Sequence, residues 1–457
     1  MKNKIWCCLL SMALIFGMSA CGAKNQTSTA DNSDTKGTDD TPSTTESANA
    51  ESKTSDSDKI QLEFWVPGTE EDMHWKALPA AAEAFNQANP GVEVKVVLGG
   101  PTDEYNKKLT MMADTDTLPD FFEAGTGITA GFGDAGVLTE ITNDINSDSE
   151  WSSWKYVDGA YERQQENQSG KTYGVPLAMD AQGFFYNTKL LKDNGLEVPQ
   201  TWDEFINVVK VLKAAGITPI AHGAQDMFDV WGYYGFFNRY GMADIGPKIK
   251  DGSATWSDSM MEPFKKIQEL ADLGAYPEGN TTITYAQAVE MFANGQAAIL
   301  GDGAWDCSKL SEADFDAAFN WGPTFSDSSY DQKVALKGVS WTMFAGSSLN
   351  ESDAKREAGI KFMKHMCSPE TTKLLIQNGY YFPSYLADIS DLDLPALTVS
   401  IYDAISDNEW KSTDESYAYV DSKIIDTFWN AITSLINQSM NAEEAAQQLD
   451  DFYNIMN

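Results

Sequence analysis

Ile60-Gln61-Leu62-Glu63-Phe64-Trp65-Val66 alternates polar and apolar residues as a half-buried strand does, and Pro67-Gly68 turns the chain at its end. From Trp75 to Ala88, Leu78, Ala82 and Phe85 recur at helical spacing, and Asn89-Pro90-Gly91 stops that helix before a second strand, Val92 to Leu98. Strand, helix, strand is the repeating unit of a parallel sheet, so this stretch decides for an α/β fold.

The alternation continues downstream. A helix is expected around Tyr105 to Met112 and a strand over Asp120-Phe121-Phe122-Glu123; a glycine-rich stretch from Gly125 to Gly136 follows. Its glycines fit neither GxGxxG nor GxxxxGK[ST], so it reads as a tight turn rather than a phosphate loop. Further helices are expected at Trp202 to Ala215, Met260 to Leu273, Ala286 to Ala293, Glu351 to Cys367, Glu370 to Asn378 and Ser422 to Gln438. The start at Thr201 is the clearest, because a cap residue precedes Asp203 and Glu204 in the first turn and Gly216 follows the last one. A chain of 457 residues exceeds what one hydrophobic core usually fills, about 250 to 300 residues, so two lobes are expected.

Upstream of Ile60 the composition changes. Lys2 and Lys4 precede an apolar run, Ile5 to Met18, that ends in Ser19-Ala20-Cys21, which reads as an export signal over residues 1–20. The run falls short of the roughly 18 to 20 residues that span a bilayer. From Gly22 to Asp58 there is no aromatic residue and no Val, Ile, Leu or Met, so residues 21–58 read as a disordered tether. Met18-Ser19-Ala20-Cys21-Gly22 resembles a bacterial lipobox, which implies cleavage before Cys21 and two acyl chains that hold the protein at a membrane.

Charge narrows the partners. With 32 Lys+Arg against 68 Asp+Glu, the formal net charge of −36 opposes nucleic acid and anionic ligands. Cys7, Cys8 and Cys21 all lie in the first stretch of the chain, which leaves Cys307 and Cys367; two thiols that far apart read as free and buried, with one bridge left open. His74, His222 and His365 stand singly, so no metal site is expected, and no motif asks for a cofactor. GxSxG, CxxC and HExxH are all absent.

Two blocks carry a resemblance. Tyr173-Gly174-Val175-Pro176, Asp180, Phe185-Tyr186-Asn187, Gly195-Leu196 and Pro199-Gln200-Thr201-Trp202-Asp203-Glu204-Phe205 resemble the signature of extracellular solute-binding proteins for sugars, roughly YGVP, YYN and G-PPKTWDE. Met291-Phe292-Ala293-Asn294-Gly295-Gln296-Ala297-Ala298-Ile299-Leu300-Gly301-Asp302-Gly303-Ala304-Trp305 is similar to that family's F-x-x-G-x-AAM-x-x-GxW block. The resemblance runs from Ile60 to the C-terminus. It implies a periplasmic-binding-protein-like fold of two lobes, each a mostly parallel sheet flanked by helices, hinged by crossings near Met179, Ser340 and Phe382. The lobes would be 59–178 with 341–383 and 179–340 with 384–457. The implied function is capture of a sugar by an extracellular, lipid-anchored monomer that delivers it to the permease subunits of an ABC importer, without catalysis.

The resemblance also points to site residues. Trp305 matches a tryptophan that stacks on a sugar ring, Asp180 an acid that accepts sugar hydroxyls, and Trp429, after Phe428, a cleft residue of maltose-binding members. Ala124 and Glu70 stand where those members have a stacking Trp and a Lys, which argues against maltose. A pyranose offers one C–H face and a rim of hydroxyls, which flat rings and carboxylates suit. On that chemistry Phe228, Trp231, Trp341, Trp65 and Glu70 join the candidates, whereas Tyr233, Tyr234 and Phe237 read as the buried face of a helix. A polyamine receptor, and after it a secreted glycosidase, are the alternatives.

Overall fold

Alternation in strand β1 (Ile60–Val66) buries Leu62, Phe64 and Val66 and leaves Gln61 and Glu63 exposed. The computed structural model describes residues 59–456 except 71–72, 126, 162–164, 166–168, 226–229 and 381. Cys21 with its leader, and Phe228, therefore lie outside the described residues.

The helix Met73–Ala88 carries the chain from β1 to β2 (Val92–Leu98), and the two strands pair in parallel from Ile60 opposite Val92 to Val66 opposite Leu98. β3 (Phe121–Ala124) pairs parallel to the other side of β1. The remaining strands are β4 (Gly174–Asn187), β5 (Thr218–Ala221), β6 (Ala297–Gly303), β7 (Ala317–Asn320), β8 (Val334–Ala345), β9 (Phe382–Pro383) and β10 (Lys411–Ser412). The main order is β2-β1-β3-β8-β4-β6-β5 in a 10-stranded sheet, with β7 and β9 on β4 and β10 on β8. Pairing is parallel at both outer ends, where helices return the chain, and between β10 and β8; it is otherwise antiparallel around β4 and β8, two long strands that run side by side in opposite directions.

These two strands contribute side chains to four packed clusters. One cluster draws on residues between Leu62 and Ala178 and between Met343 and Tyr385; the largest draws on residues between Phe184 and Leu336 and between Val420 and Leu449. Between them β4 slips in register at Ala178 and Met179, a bulge that bends the strand. Met179 there faces Val339 on one side and Phe382 on the other, which brings the three expected crossing segments edge to edge.

Buried cations tie the second half together. Arg239 is 1% exposed, and its guanidinium donates to the carbonyls of Gln332, Trp321 and Val334 at 3.1, 2.9 and 3.0 Å, fixing the entry of β8. Burial lowers its pKa to about 10, so it stays charged at neutral pH. Lys337 on β8 donates to the carbonyls of Ile405 and Asp407 at 3.1 and 2.7 Å, a cation at the C-terminus of the helix Ala396–Ser406. Cys307 and Cys367 are both free and buried, in different clusters.

Most expected helices form within two or three residues of their expected bounds: Trp202–Ala214, Met261–Asp272, Tyr285–Ala293, Asp353–Met366, Pro369–Gln377 and Ile425–Ile436. Tyr233, Tyr234 and Phe237 are the buried face of the helix Trp231–Arg239, as their spacing indicates. No described helix is long and apolar enough to cross a membrane.

Candidate functional site

The site grows from the end of β6. All seven residues of that strand are buried, and it ends in Gly303, where an added Cβ would sit 2.1 Å from the ring of Trp305. Glycine thus leaves the space in which the indole lies. A 3-10 turn, Ala304–Asp306, presents Trp305, and its Nε1 donates to the Tyr285 hydroxyl at 2.7 Å. Tyr285 is the first residue of the helix Tyr285–Ala293, whose start is fixed by a reciprocal capping box between Thr284 and Gln287.

Two carboxylates meet that phenol. Tyr285 Oη lies 2.9 Å from Asp302 Oδ1 and also hydrogen-bonds Asp306 Oδ2. A phenol has one hydrogen, so it serves one carboxylate at a time while accepting from Trp305. Burial, then the charges of Asp302 and Asp306, push the Tyr285 phenol far above its ordinary range, so it stays protonated. Asp302 is fully buried and its Oδ1 also accepts from Gly303 N at 2.8 Å.

Trp231 completes a trio of rings, edge-to-face with Trp305 at 5.1 Å and 77° and with Tyr285 at 5.0 Å and 72°. The next residue explains how it gets there. A Cβ at Gly232 would lie 2.9 Å from Gly301 Cα and 3.0 Å from Gly183 O, so glycine lets the helix Trp231–Arg239 seat on the backbones of β4 and β6.

A second group lies beside the first. Gln182 on β4 is directly opposite Gly303, and its Nε2 donates to Glu415 Oε1 at 3.0 Å. Tyr417 donates to Glu415 Oε2 at 3.2 Å and packs edge-on to Tyr234 at 5.8 Å, and Trp429 Nε1 donates to the Tyr234 hydroxyl. Asp180, half-buried and opposite Gly338, precedes Gln182 by two residues and so shares its face of the strand.

The other candidates fall elsewhere. Trp341, opposite Ala178, packs against the first-half cluster. Trp65 donates from Nε1 to Glu63 Oε2 at 2.8 Å, and the Lys108 ammonium sits 4.0 Å from its ring centroid, which occupies one of its two faces. Glu70 is exposed in the turn after β1, and Phe228 is outside the described residues. Of the named residues, the contacts bring together Trp231 and Trp305; Tyr285, Asp302, Asp306, Gln182 and Glu415 are additions. Asp302 lies in the Gly301-Asp302-Gly303-Ala304-Trp305 block, from which Trp305 alone was expected as a site residue, whereas Tyr285 and Glu415 carry no local signal. Among the described residues no group of three or more His, Cys, Asp or Glu is arranged to hold a metal ion.

Comparison with known proteins adds four findings. A family model described as bacterial extracellular solute-binding protein matches residues 75–373. The multiple sugar-binding protein of Streptococcus mutans is 24% identical over 430 residues, 87% of this chain and 91% of that one. The melibiose/raffinose/stachyose-binding protein MelE of Bacillus subtilis is 23% identical over 320 residues, 67% of this chain and 70% of that one. Among solved structures, the apo form of RafE from Streptococcus pneumoniae superposes with a TM-score of 0.70 at 19% identity, over 88% of this chain and 99% of that one, a likeness of fold.

Proposed function

Since the chain belongs to the bacterial extracellular solute-binding proteins, we propose that it captures an oligosaccharide between two lobes and hands it to an ABC importer. The observation that carries this is the trio Trp231, Tyr285 and Trp305 beside Asp302 and Asp306. Rings give a pyranose its flat apolar partner, worth roughly 0.5 to 1.5 kcal/mol beyond buried area, and the half-buried Asp306 accepts its hydroxyl hydrogens, while the fully buried Asp302 supports Tyr285 from behind. Neither suits a phosphate or a carboxylate ligand. The names of the relatives, which speak of several sugars and of melibiose, raffinose and stachyose, agree with that chemistry.

In this reading the lobes are 59–178 with 341–383 and 179–340 with 384–457. The ligand enters between them, and they close by bending at the bulge around Ala178 and Met179, where three crossing segments lie side by side. Asp180 accepts hydroxyls from the bound sugar, and Trp429, Trp341, Trp65 and Glu70 are secondary contacts. The protein binds and does not catalyse. It works as a monomer on the outer face of the cell membrane, held by lipid on Cys21 and contacting permease subunits when loaded.

The test is thermal melting against galactose, melibiose, raffinose, stachyose, maltose, xylobiose and chitobiose, with spermidine added because two carboxylates beside three rings also suit a cation. A ligand at a hundred times its Kd stabilises the folded state by about 2.7 kcal/mol, so at least one sugar raises the melting temperature. A rise with spermidine alone replaces the sugar reading, and no rise with any of them removes it.

A further inference from the structure

Beyond Trp305 lies a recess of about 300 Å³ to which neither the sequence nor the comparisons assign a role. It is framed by the short helix Cys307–Leu310, the end of the helix Pro369–Gln377 and the segment 393–398. Trp305, Tyr380 and Phe382 bring aromatic surface to it. Two of these rings are held by their polar ends: the Trp305 indole by Tyr285, and the buried Tyr380, whose hydroxyl donates to the fully buried Glu123 carboxylate on β3.

The rim is polar and unengaged. Ser308, Glu312, Gln377 and Asp393 border the recess, are exposed, and none of their side chains bonds to or ion-pairs with another described residue. No Lys or Arg borders it, so an anion finds no partner. The volume stands at the lower end of ligand pockets, about 300 to 1,000 Å³, and so suits one ring rather than a chain. Fixed aromatic surface below, acids, an amide and a hydroxyl above, and room for one ring together describe a monosaccharide unit.

We propose that this recess is a sugar subsite that takes one pyranose unit of an oligosaccharide bound at Trp305. Tyr380 and Phe382 meet its apolar face, and Glu312, Gln377 and Asp393 bond its hydroxyls. The inference rests on the sugar reading above and extends it, since Trp305 then serves as the wall shared by two neighbouring units.

The experiment is a nitrogen-15 NMR titration of the mature chain with galactose, melibiose and raffinose, following the side-chain amide of Gln377, the indole of Trp305 and the backbone amides of Asp180 and Gln182. The expected result is that Gln377 and Trp305 shift together with at least one sugar. Ser308→Phe, which fills the recess from its exposed rim, abolishes the Gln377 response and weakens the tightest of the three at least fivefold. Asp393→Asn, which keeps the shape, weakens it at least threefold and guards against misfolding of the first variant. If Trp305, Asp180 and Gln182 respond while Gln377 does not, the subsite is wrong and the sugar reading stands. If no signal responds to any of the three, the sugar reading fails for them and the subsite falls with it.

Discussion

Tyr285 holds the position on which the orientation of Trp305 depends. Its hydroxyl accepts the Trp305 indole hydrogen at 2.7 Å and offers one hydrogen to two carboxylates. Removing the acceptor leaves a polar N–H without its partner, a loss of about 1 to 3 kcal/mol if it stays buried. Tyr285→Phe is therefore expected to weaken sugar binding about threefold to tenfold, and to cost nothing further in a Trp305→Phe background, where no indole N–H exists. Calorimetric titration of the four proteins checks this; equal losses in both backgrounds mean that Tyr285 acts through packing alone. Trp305 and Asp180 were expected as sugar contacts because they sit in the motif blocks that carry the family resemblance. Tyr285 was not, because a lone tyrosine at a helix start looks like any packing residue. Glu415 reaches Gln182 across 233 positions of chain, a separation that no local pattern encodes.

The helix Trp202–Ala214 shows what the sequence dictates on its own. Thr201 accepts from Glu204 N at 3.4 Å and Glu204 accepts in return from Thr201 N at 3.1 Å, the capping box that Thr201 and the acids after it announce. Thr201→Ala is expected to lose about 1 kcal/mol of stability, read as a lower denaturation midpoint with an unchanged slope. Hydrogen bonds from the Gln200 and Thr201 backbone hold the Glu204 carboxyl below its ordinary 4.5. A lowered carboxylate pKa stabilises the fold above the unfolded value, and that contribution is lost as pH falls through the folded one. Glu204→Gln should therefore cost stability at neutral pH and less in acid; a pH-independent cost would contradict this origin. Strands β4 and β8 were less legible. Pro176, Asp180 and Gly183 interrupt β4, and neighbours on both sides hold it as one strand of 14 residues. Pattern reading sees the short alternations at 60–66 and 92–98, whereas a strand buried on both faces shows none.

At the scale of the whole molecule, the excess of acids and the signal-like stretch before Cys21 agree with the proposed receptor, which stands outside the cell and closes on a neutral ligand. Cys21→Ala is expected to move the protein from the membrane fraction to the medium or to leave an uncleaved precursor; mature-sized protein that still fractionates with membranes would contradict the lipid anchor. Small-angle scattering at saturating sugar is expected to give a smaller radius of gyration than the free protein, and an identical profile would remove closure. The central claim is that a sugar binds on Trp305, and calorimetry of wild type and Trp305→Ala with the sugar that most raises the melting temperature tests it most directly. Loss of stacking and of apolar contact should weaken affinity about tenfold or more, since each 1.4 kcal/mol is a factor of ten, with the circular dichroism spectrum unchanged. Wild-type affinity in the folded Trp305→Ala variant would contradict it.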